Sequence, residues 1–201
     1  NVLAGFNPKI PKNFSELNVL VLGNLDPKVQ LSIVSQFEKK PDFIMLDTMN
    51  FWMDNNLDDL LKIISKVDLI CINDEEVIQL SGCENYKLGI KKILTMGPKY
   101  VIMKKGEFGA TLYSNKSEFF CPTFKIDKVI DPTGAGDSFA GAFAGHLAKS
   151  KNYSFESISN ALIYANAVAS FCVEKFGVDN MINISKEEIN DRINFIKKHN
   201  S

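Results

Sequence analysis

A run of small residues followed by a carboxylate, residues 131–143 (DPTGAGDSFAGAF), has the composition of an anion-binding turn. Gly134, Ala135 and Gly136 let backbone N–H groups approach an anion closely, and a helix that starts there adds the positive end of its dipole. Asp137 follows this turn and is placed to take a proton from a hydroxyl that attacks the bound anion. The run therefore indicates phosphoryl transfer to an alcohol, while a glycine turn that merely opens a core helix is the structural alternative.

Other nucleotide-binding motifs agree less well with the sequence. The spacing of Gly134, Gly136 and Gly141 is not G-x-G-x-x-G, and the chain contains no G-x-x-x-x-G-K-[ST]. A dinucleotide-dependent oxidoreductase and a P-loop protein are therefore disfavoured.

Length and composition are those of an ordinary globular protein. The 201 residues are enough for one sizeable domain, and 45% hydrophobic with 23% charged residues is a typical balance. A net charge of -1 argues against a broad nucleic-acid interface. No apolar run reaches membrane-spanning length, so neither a nucleic acid nor a membrane is expected as a partner.

The four cysteines form neither a C-x-x-C pair nor a metal-like cluster with the two histidines. Cys71, Cys121 and Cys172 lie in apolar runs, which predicts buried free thiols. Free thiols favour a reducing compartment, and we expect a cytoplasmic location.

Hydrophobic periodicity predicts strands alternating with helices, which is typical of a parallel sheet with crossover helices. Four buried strands are predicted at 18–22, 43–46, 67–72 and 100–103, followed by short strands around 110–114, 118–121 and 124–130 that would run antiparallel. Helices are predicted from residue 27 and at 57–66, 74–81, 85–96, 134–149, 155–174 and 186–198. Ligands of such sheets bind beyond the carboxyl ends of the strands.

Several polar or glycine-rich stretches follow these strands. Asn73 and Glu76 form an N-x-x-E pair in which an acidic first helical turn is also routine. In KKGEFG (104–109) two glycines permit a tight turn, which by itself favours a hairpin. Asn166 lies on an otherwise apolar helix and needs a partner if it is buried. The stretch DTMNFW (47–52) favours a structural role over contact with phosphate or sugar.

Together these motifs resemble the ribokinase-like (PfkB) carbohydrate kinases. The family signature, D-T/P-x-G/A-A-G-D followed by small and apolar residues, is filled at every position from Asp131. The motifs also follow the family order, from the strand at 18–22 to a capping box at Ser185. The resemblance implies an α/β fold, a three-layer α/β/α sandwich with a mostly parallel central sheet and a small β lid.

The resemblance also implies roles for the signature residues. Asp137 would be the catalytic base that deprotonates a substrate hydroxyl as its oxygen attacks the γ-phosphorus of ATP. The amides of Gly134, Ala135 and Gly136 would form an anion hole for the charge that develops on the transferred group.

The other motifs would hold the nucleotide and its metal. In the family, the N-x-x-E pair, Asn73 and Glu76 here, organises Mg²⁺ and the phosphates of ATP, largely through water. The G-x-x-G turn lies along ATP. Residues that match the ATP-binding positions are Asn73, Lys104, Gly106, Gly109 and Asn166.

A monovalent cation beside the anion hole is a further possibility that the resemblance raises. Matching positions are Asp131, Thr133, Cys172, Lys175 and Gly177. Ribokinase itself has arginine at the position of Lys175 and a serine ligand at that of Met181, and these departures argue against potassium activation.

The chain begins at Asn1, in the middle of the family pattern, and we expect residues 1–201 to be a single ribokinase-like domain that lacks its N-terminal part. In the family that part supplies the lid, a Gly-Gly substrate motif and most sugar contacts, and dimers often pair through the lid. A homodimer is therefore possible, and strands without partners predict poor stability for residues 1–201 alone.

The expected activity is transfer of the γ-phosphoryl group of ATP to a hydroxyl of a sugar or a related small molecule, with Mg²⁺. A nucleoside or a sugar phosphate is the alternative acceptor. A non-catalytic relative that binds ATP as a regulatory protein is a second alternative, against which the presence of Asp137 argues.

Overall fold

The structure is a computed structural model that describes residues 5–14 and 16–200. The strands of these residues are β1 Val19–Leu22, β2 Phe43–Asp47, β3 Leu69–Asn73, β4 Tyr100–Lys104, β5 Ala110–Tyr113 and β6 Glu118–Cys121. Their α-helices are α1 Pro27–Ser35, α2 Asn50–Asn55, α3 Leu57–Ile64, α4 Asp74–Ser81, α5 Tyr86–Thr95, α6 Ala135–Ser150, α7 Phe155–Cys172 and α8 Lys186–Lys198. Asn1, where we expected a truncated domain to begin, lies outside the described residues.

The six strands form one sheet in chain order, from β1 to β6. β1 pairs in parallel with β2, with Leu22 opposite Leu46, and β2 pairs in parallel with β3, with Asp47 opposite Cys71. Helices connect β1 to β2, β2 to β3 and β3 to β4, as parallel neighbours require. The connections at 105–109 and 114–117 are too short for a crossover, so β5 and β6 continue the sheet as hairpins. The predicted α/β fold with a mostly parallel sheet is confirmed.

The described residues form two compact units, each with its own core. The first unit extends to Met103 and includes Tyr113–Lys116. Its core includes side chains from one face of β1–β4, such as the fully buried Ile44, Ile70 and Val101. The second unit comprises Lys104–Leu112 and the residues from Ser117 onward.

The second unit is organised by the packing of α6 on α7. Phe143 and Leu147 of α6 are fully buried, as are Ile158 and Leu162 of α7. Each fully buried side chain of this size contributes about 1.5–3 kcal/mol relative to leaving it exposed. The Ala- and Gly-rich sequence of α6 therefore still supplies enough apolar surface to fix the position of its first turn.

Helix starts agree closely with the sequence signals. The side chain of Asp26 accepts a hydrogen bond from the amide of Lys28 at 2.9 Å, and Pro27 occupies the first position of α1. Ser185 and Glu188 form the predicted capping box of α8. Gly82 ends α4 with φ of 65°, a left-handed conformation that glycine adopts without a steric penalty.

The predicted strand at 124–130 is wrong, because this segment has no regular secondary structure. The amides of Ile130 and Asp131 both donate to the carbonyl oxygen of Val173, at 2.8 and 3.3 Å, rather than to a neighbouring strand. Its apolar residues Phe124, Ile126 and Val129 line a cavity instead of alternating across a sheet. α2 is a helix that the periodicity did not predict.

None of the helices in the described residues is both long and apolar enough to cross a membrane.

Candidate active site

The first turn of α6 presents unpaired backbone N–H groups. Gly134 caps the helix with φ of 81°, which lets the chain turn sharply into the helix without a side-chain clash. The amide of Ala135 donates to the carbonyl oxygen of Pro132 at 3.2 Å, whereas the amides of Gly136 and Asp137 have no acceptor among the described residues. Two free donors at the positive end of a 16-residue helix form a site for an anion, whereas the amide of Ala135, which we expected in the anion hole, is already paired.

Asp137 lies on this first turn and is exposed. Its carboxylate has no hydrogen bond or ion pair with the part of the chain that the structure describes. The side chain therefore makes no helix-capping hydrogen bond. A carboxylate that is exposed, unpaired and adjacent to an anion site is available to accept a proton.

A cavity of about 560 Å³ in the second unit brings together six of the predicted site residues. They are Lys104, Gly106, Gly109, Ala135, Gly136 and Asn166. Asp137 does not line the cavity but follows Gly136 directly. The cavity is of the size that small-molecule ligands occupy.

One wall of this cavity is apolar, and the sequence interpretation missed it. Its residues come from the irregular segment after β6 and from α6 and α7; they are Phe124, Ile126, Val129, Phe139, Ala169 and Val173. A strand at 124–130 would alternate its side chains across a sheet, whereas the irregular segment turns three apolar side chains into the cavity. An apolar wall beside a few polar groups suits a planar, partly apolar group such as a nucleotide base.

The turn between β4 and β5 requires glycine at Gly109. Lys105 donates its amide to the carbonyl oxygen of Gly109 at 2.8 Å, which closes the hairpin. Gly109 has φ of 97°, and a β-carbon there would lie 2.3 Å from the carbonyl oxygen of Cys121. The turn is therefore a hairpin, as the residues alone favoured, and it also lines the cavity.

Asn166 is buried in α7, with 9% of its surface exposed. Its Nδ2 donates to the carbonyl oxygen of Cys121 at 3.4 Å and to Cys121 Sγ at 3.0 Å. Burial raises the pKa of the Cys121 thiol to about 11, and the hydrogen bond from Asn166 lowers it in part. Asn166 thus joins α7 to the end of β6 while it lines the cavity, so its two proposed roles are compatible.

Four of the five residues matched to a monovalent cation converge, namely Asp131, Thr133, Cys172 and Gly177. Asp131 Oδ1 accepts from the amide of Thr133 at 3.0 Å, and Oδ2 accepts from the amide of Gly177 at 3.3 Å. Cys172 Sγ lies 3.5 Å from the carbonyl oxygen of Thr133. The hydrogen bonds from Thr133, and then that from Gly177, hold the pKa of Asp131 below its usual value. This network fixes the loop before α6 by protein contacts, and a bound cation stays a prediction.

Asn73 and Glu76, in the first unit, form a capping box at the start of α4. Asn73 Oδ1 accepts from the amide of Glu76 at 2.8 Å, and Glu76 Oε2 accepts from the amide of Asn73 at 2.8 Å. Glu76 is only 5% exposed. Among the described residues there is no group of three or more His, Cys, Asp or Glu that is arranged to ligate a metal ion.

The stretch 47–52 has structural contacts, which agrees with the preferred interpretation. Asn50 Nδ2 donates to Gln79 Oε1 at 2.6 Å, and Trp52 Nε1 donates to Asn24 Oδ1 at 2.7 Å. These bonds tie α2 to its neighbours within the first unit.

A free helix N-terminus beside a cavity with an apolar wall, in a chain that also forms a mostly parallel sheet, is typical of nucleotide-binding α/β proteins. The family model described as pfkB family carbohydrate kinase matches residues 18–185. The chain therefore belongs to the PfkB family, which confirms the resemblance.

Curated relatives are consistent with this membership. A cytidine kinase from Thermococcus kodakarensis is 28% identical over 138 residues, which cover 67% of this chain and 49% of the relative. A nucleoside kinase from Methanocaldococcus jannaschii is 32% identical over 120 residues, which cover 59% of this chain and 36% of the relative. The chain thus spans about half the length, or less, of these relatives.

Solved structures show the same fold. A ribokinase from Thermotoga maritima has a TM-score of 0.72 and 27% identity, over 90% of this chain and 58% of that protein. The Methanocaldococcus jannaschii nucleoside kinase has a TM-score of 0.73 and 24% identity, over 94% of this chain and 59% of that protein.

Proposed function

We propose that this chain carries the ATP site and the catalytic base of a kinase that phosphorylates a hydroxyl of a sugar or a nucleoside. One observation carries the proposal: the cavity borders the first turn of α6, where two amides lack acceptors and the unpaired carboxylate of Asp137 follows directly. Phosphoryl transfer from ATP to an alcohol needs a site for the phosphates, a site for the nucleotide and a group that accepts the proton of the alcohol.

ATP would lie with its base against the apolar wall and its phosphates toward α6. The wall residues Val129, Ala169 and Val173 suit the face of an adenine, and Asn166 suits its polar edge. Lys104 lines the same cavity and provides a positive charge for the phosphates. The glycine turn that contains Gly109 lets backbone approach the nucleotide closely.

In the reaction, Asp137 accepts the proton of the acceptor hydroxyl as its oxygen bonds to the γ-phosphorus. The bond between the γ-phosphorus and the β,γ-bridging oxygen breaks, and ADP leaves with that electron pair. The amides of Gly136 and Asp137 stabilise the negative charge on the transferred group, an electrostatic contribution that requires no reorganisation because the helix fixes both donors.

Magnesium is proposed as the metal, and when bound it would neutralise charge on the phosphates. Asn73 and Glu76 would hold it through water.

The acceptor is proposed to be a plain sugar, with a nucleoside as the second candidate. The names of the relatives include ribokinase and fructokinase, and also cytidine kinase and nucleoside kinase. Both groups offer a sugar hydroxyl to the same base. A cytoplasmic location is supported by the four free thiols of the described residues, and a homodimer through a lid stays a prediction.

The proposal is tested by measuring ADP formation by the full-length protein with Mg²⁺, ATP and a panel of ribose, fructose, cytidine and adenosine. We expect turnover with at least one acceptor. Binding of ATP without turnover of any acceptor would favour the non-catalytic alternative, and absence of ATP binding would contradict both.

A further inference from the structure

We propose that Arg192 is a positioning residue that holds the wall of the nucleotide cavity in place from outside it. The inference rests on the proposed function, since it concerns the affinity of that cavity for ATP. Arg192 lies on α8 and does not line the cavity, so it would act through the residues that it contacts.

The guanidinium of Arg192 contacts four side chains. Nη1 donates to Ser170 Oγ at 2.6 Å, and Nη2 donates to Glu174 Oε2 at 2.6 Å. The guanidinium carbon lies 3.4 Å from the ring centroid of Phe171 and 4.4 Å from that of Phe124. Only 12% of the side chain is exposed, so these contacts are shielded from water.

Two of these four partners, Ser170 and Phe124, line the cavity. Phe124 belongs to the segment after β6, which has no regular secondary structure and therefore has no ladder of hydrogen bonds to hold it. That segment also contributes Thr123, Lys125, Ile126, Val129 and Pro132 to the cavity. Side-chain contacts therefore help to hold this wall, and Phe124 is held by Arg192 together with Phe195 of α8, whose ring centroid lies 5.0 Å from its own.

The other two partners anchor the arginine itself. Phe171 is buried in the last turn of α7, and Glu174 follows that helix. Asn180 Nδ2 donates to Glu174 Oε2 at 3.2 Å and to the carbonyl oxygen of Phe171 at 2.9 Å. Asn180 therefore fixes the position of the Glu174 carboxylate, and this carboxylate in turn fixes the guanidinium of Arg192.

The sequence carries a signal of this role. Arg192 is the single arginine of the chain, whereas every other basic residue among the 23 is lysine. Only a planar guanidinium can stack on two rings while it donates separate hydrogen bonds to a hydroxyl and a carboxylate. A lysine ammonium would satisfy at most the ionic part of this arrangement.

The test measures dissociation constants of ATP, adenosine and tripolyphosphate by isothermal titration calorimetry on the full-length protein, together with kcat at saturating ATP. Because Arg192 supports the wall at the base end, we expect Arg192→Met to raise Kd for ATP and for adenosine about tenfold, with tripolyphosphate affinity and kcat nearly unchanged. Arg192→Lys should behave like Arg192→Met. Lys198→Gln, which removes an exposed cation from the same helix, should change none of these values.

Glu174→Gln gives a second approach if Arg192→Met does not fold. It removes the charge of the carboxylate that holds Arg192 and preserves the shape of the side chain. It should raise both Kd values in the same direction by a smaller factor. Unchanged ATP affinity in Glu174→Gln and Arg192→Lys, or an equal loss for tripolyphosphate, would overturn the role of Arg192. A wild-type protein that does not bind ATP would instead overturn the proposed function on which it rests.

Discussion

The side chains of Asn73 and Glu76 cap α4 reciprocally, each accepting the other's backbone amide at 2.8 Å. These are also the two residues that the family resemblance places near Mg²⁺. One carboxylate oxygen of Glu76 therefore already has a structural partner, and any role toward a metal must be compatible with that bond. The same pair can serve both purposes, because a fixed carboxylate is better placed to hold a water of the metal than a mobile one.

Comparing Glu76→Ala with Glu188→Ala separates the capping role of Glu76 from its proposed role toward Mg²⁺. Both residues form a capping box, so both variants should lose about 1 kcal/mol of stability from the cap, and Glu76→Ala should lose more because Glu76 is buried whereas Glu188 is exposed; urea denaturation measures both losses. Only Glu76→Ala should raise the Mg²⁺ concentration needed for half-maximal turnover. If the Mg²⁺ dependence is the same in both variants, Glu76 has only the structural role.

Asp137→Asn should leave ATP binding roughly intact but reduce kcat by about 10² to 10⁴-fold, the usual contribution of a general base. The amide is nearly isosteric and cannot accept the proton. Because Asp137 has no partner in the described residues, the change should not alter stability through a lost bond. Asp58→Asn is a matched control, since Asp58 is also an exposed aspartate in the first turn of a helix. Near-normal turnover of Asp137→Asn would be incompatible with its assignment as the base.

Much of the fold was predictable because its signals are local. The buried strands, the Asp26–Pro27 start of α1 and the capping box at Ser185 are each specified by a few adjacent residues. The segment 124–130 was mispredicted because its apolar residues resemble a strand, while what decides its conformation is distant. Its last amide bonds to the carbonyl oxygen of Val173, more than forty residues later in the chain.

The part of the candidate site that a local motif encodes was predictable, and the part built by packing of distant segments was not. The glycines and Asp137 were found because their spacing is a motif that local geometry imposes. The apolar wall is assembled from the segment after β6 and from α6 and α7, with Arg192 behind it on α8, and no short pattern encodes that packing. The unique arginine was the one available signal, since a chain that otherwise uses lysine suggests a specific need for a guanidinium.

The thiol of Cys121 should resist alkylation at pH 8.5, since burial raises its pKa to about 11 and the thiolate is the reactive form. Cys83 is partly exposed and should react first with iodoacetamide, which mass spectrometry of the modified peptides can show.

A raised pKa in the folded state contributes stability below the pKa of the unfolded thiol, and that contribution is lost as pH rises through about 11. The wild type should therefore lose more stability than Cys121→Ala between about pH 9 and pH 11. Rapid labelling of Cys121 in the folded protein would disprove its burial.

Gly109→Ala should destabilise the protein much more than Gly106→Ala, although both glycines lie in one turn and have positive φ. Gly106 has φ of 52° and open space where a β-carbon would be, so alanine there should cost about 1 kcal/mol for the backbone conformation alone. Gly109 combines φ of 97° with ψ of -159°, which essentially only glycine adopts, and its β-carbon would lie 2.3 Å from a carbonyl oxygen. We expect a loss of about 3 kcal/mol or more there, measured by urea denaturation, because the hairpin must move away from β6. Equal losses of stability in the two variants would show that the turn can relax around a β-carbon. The close approach of the Cys121 backbone would then not be the reason that residue 109 is glycine.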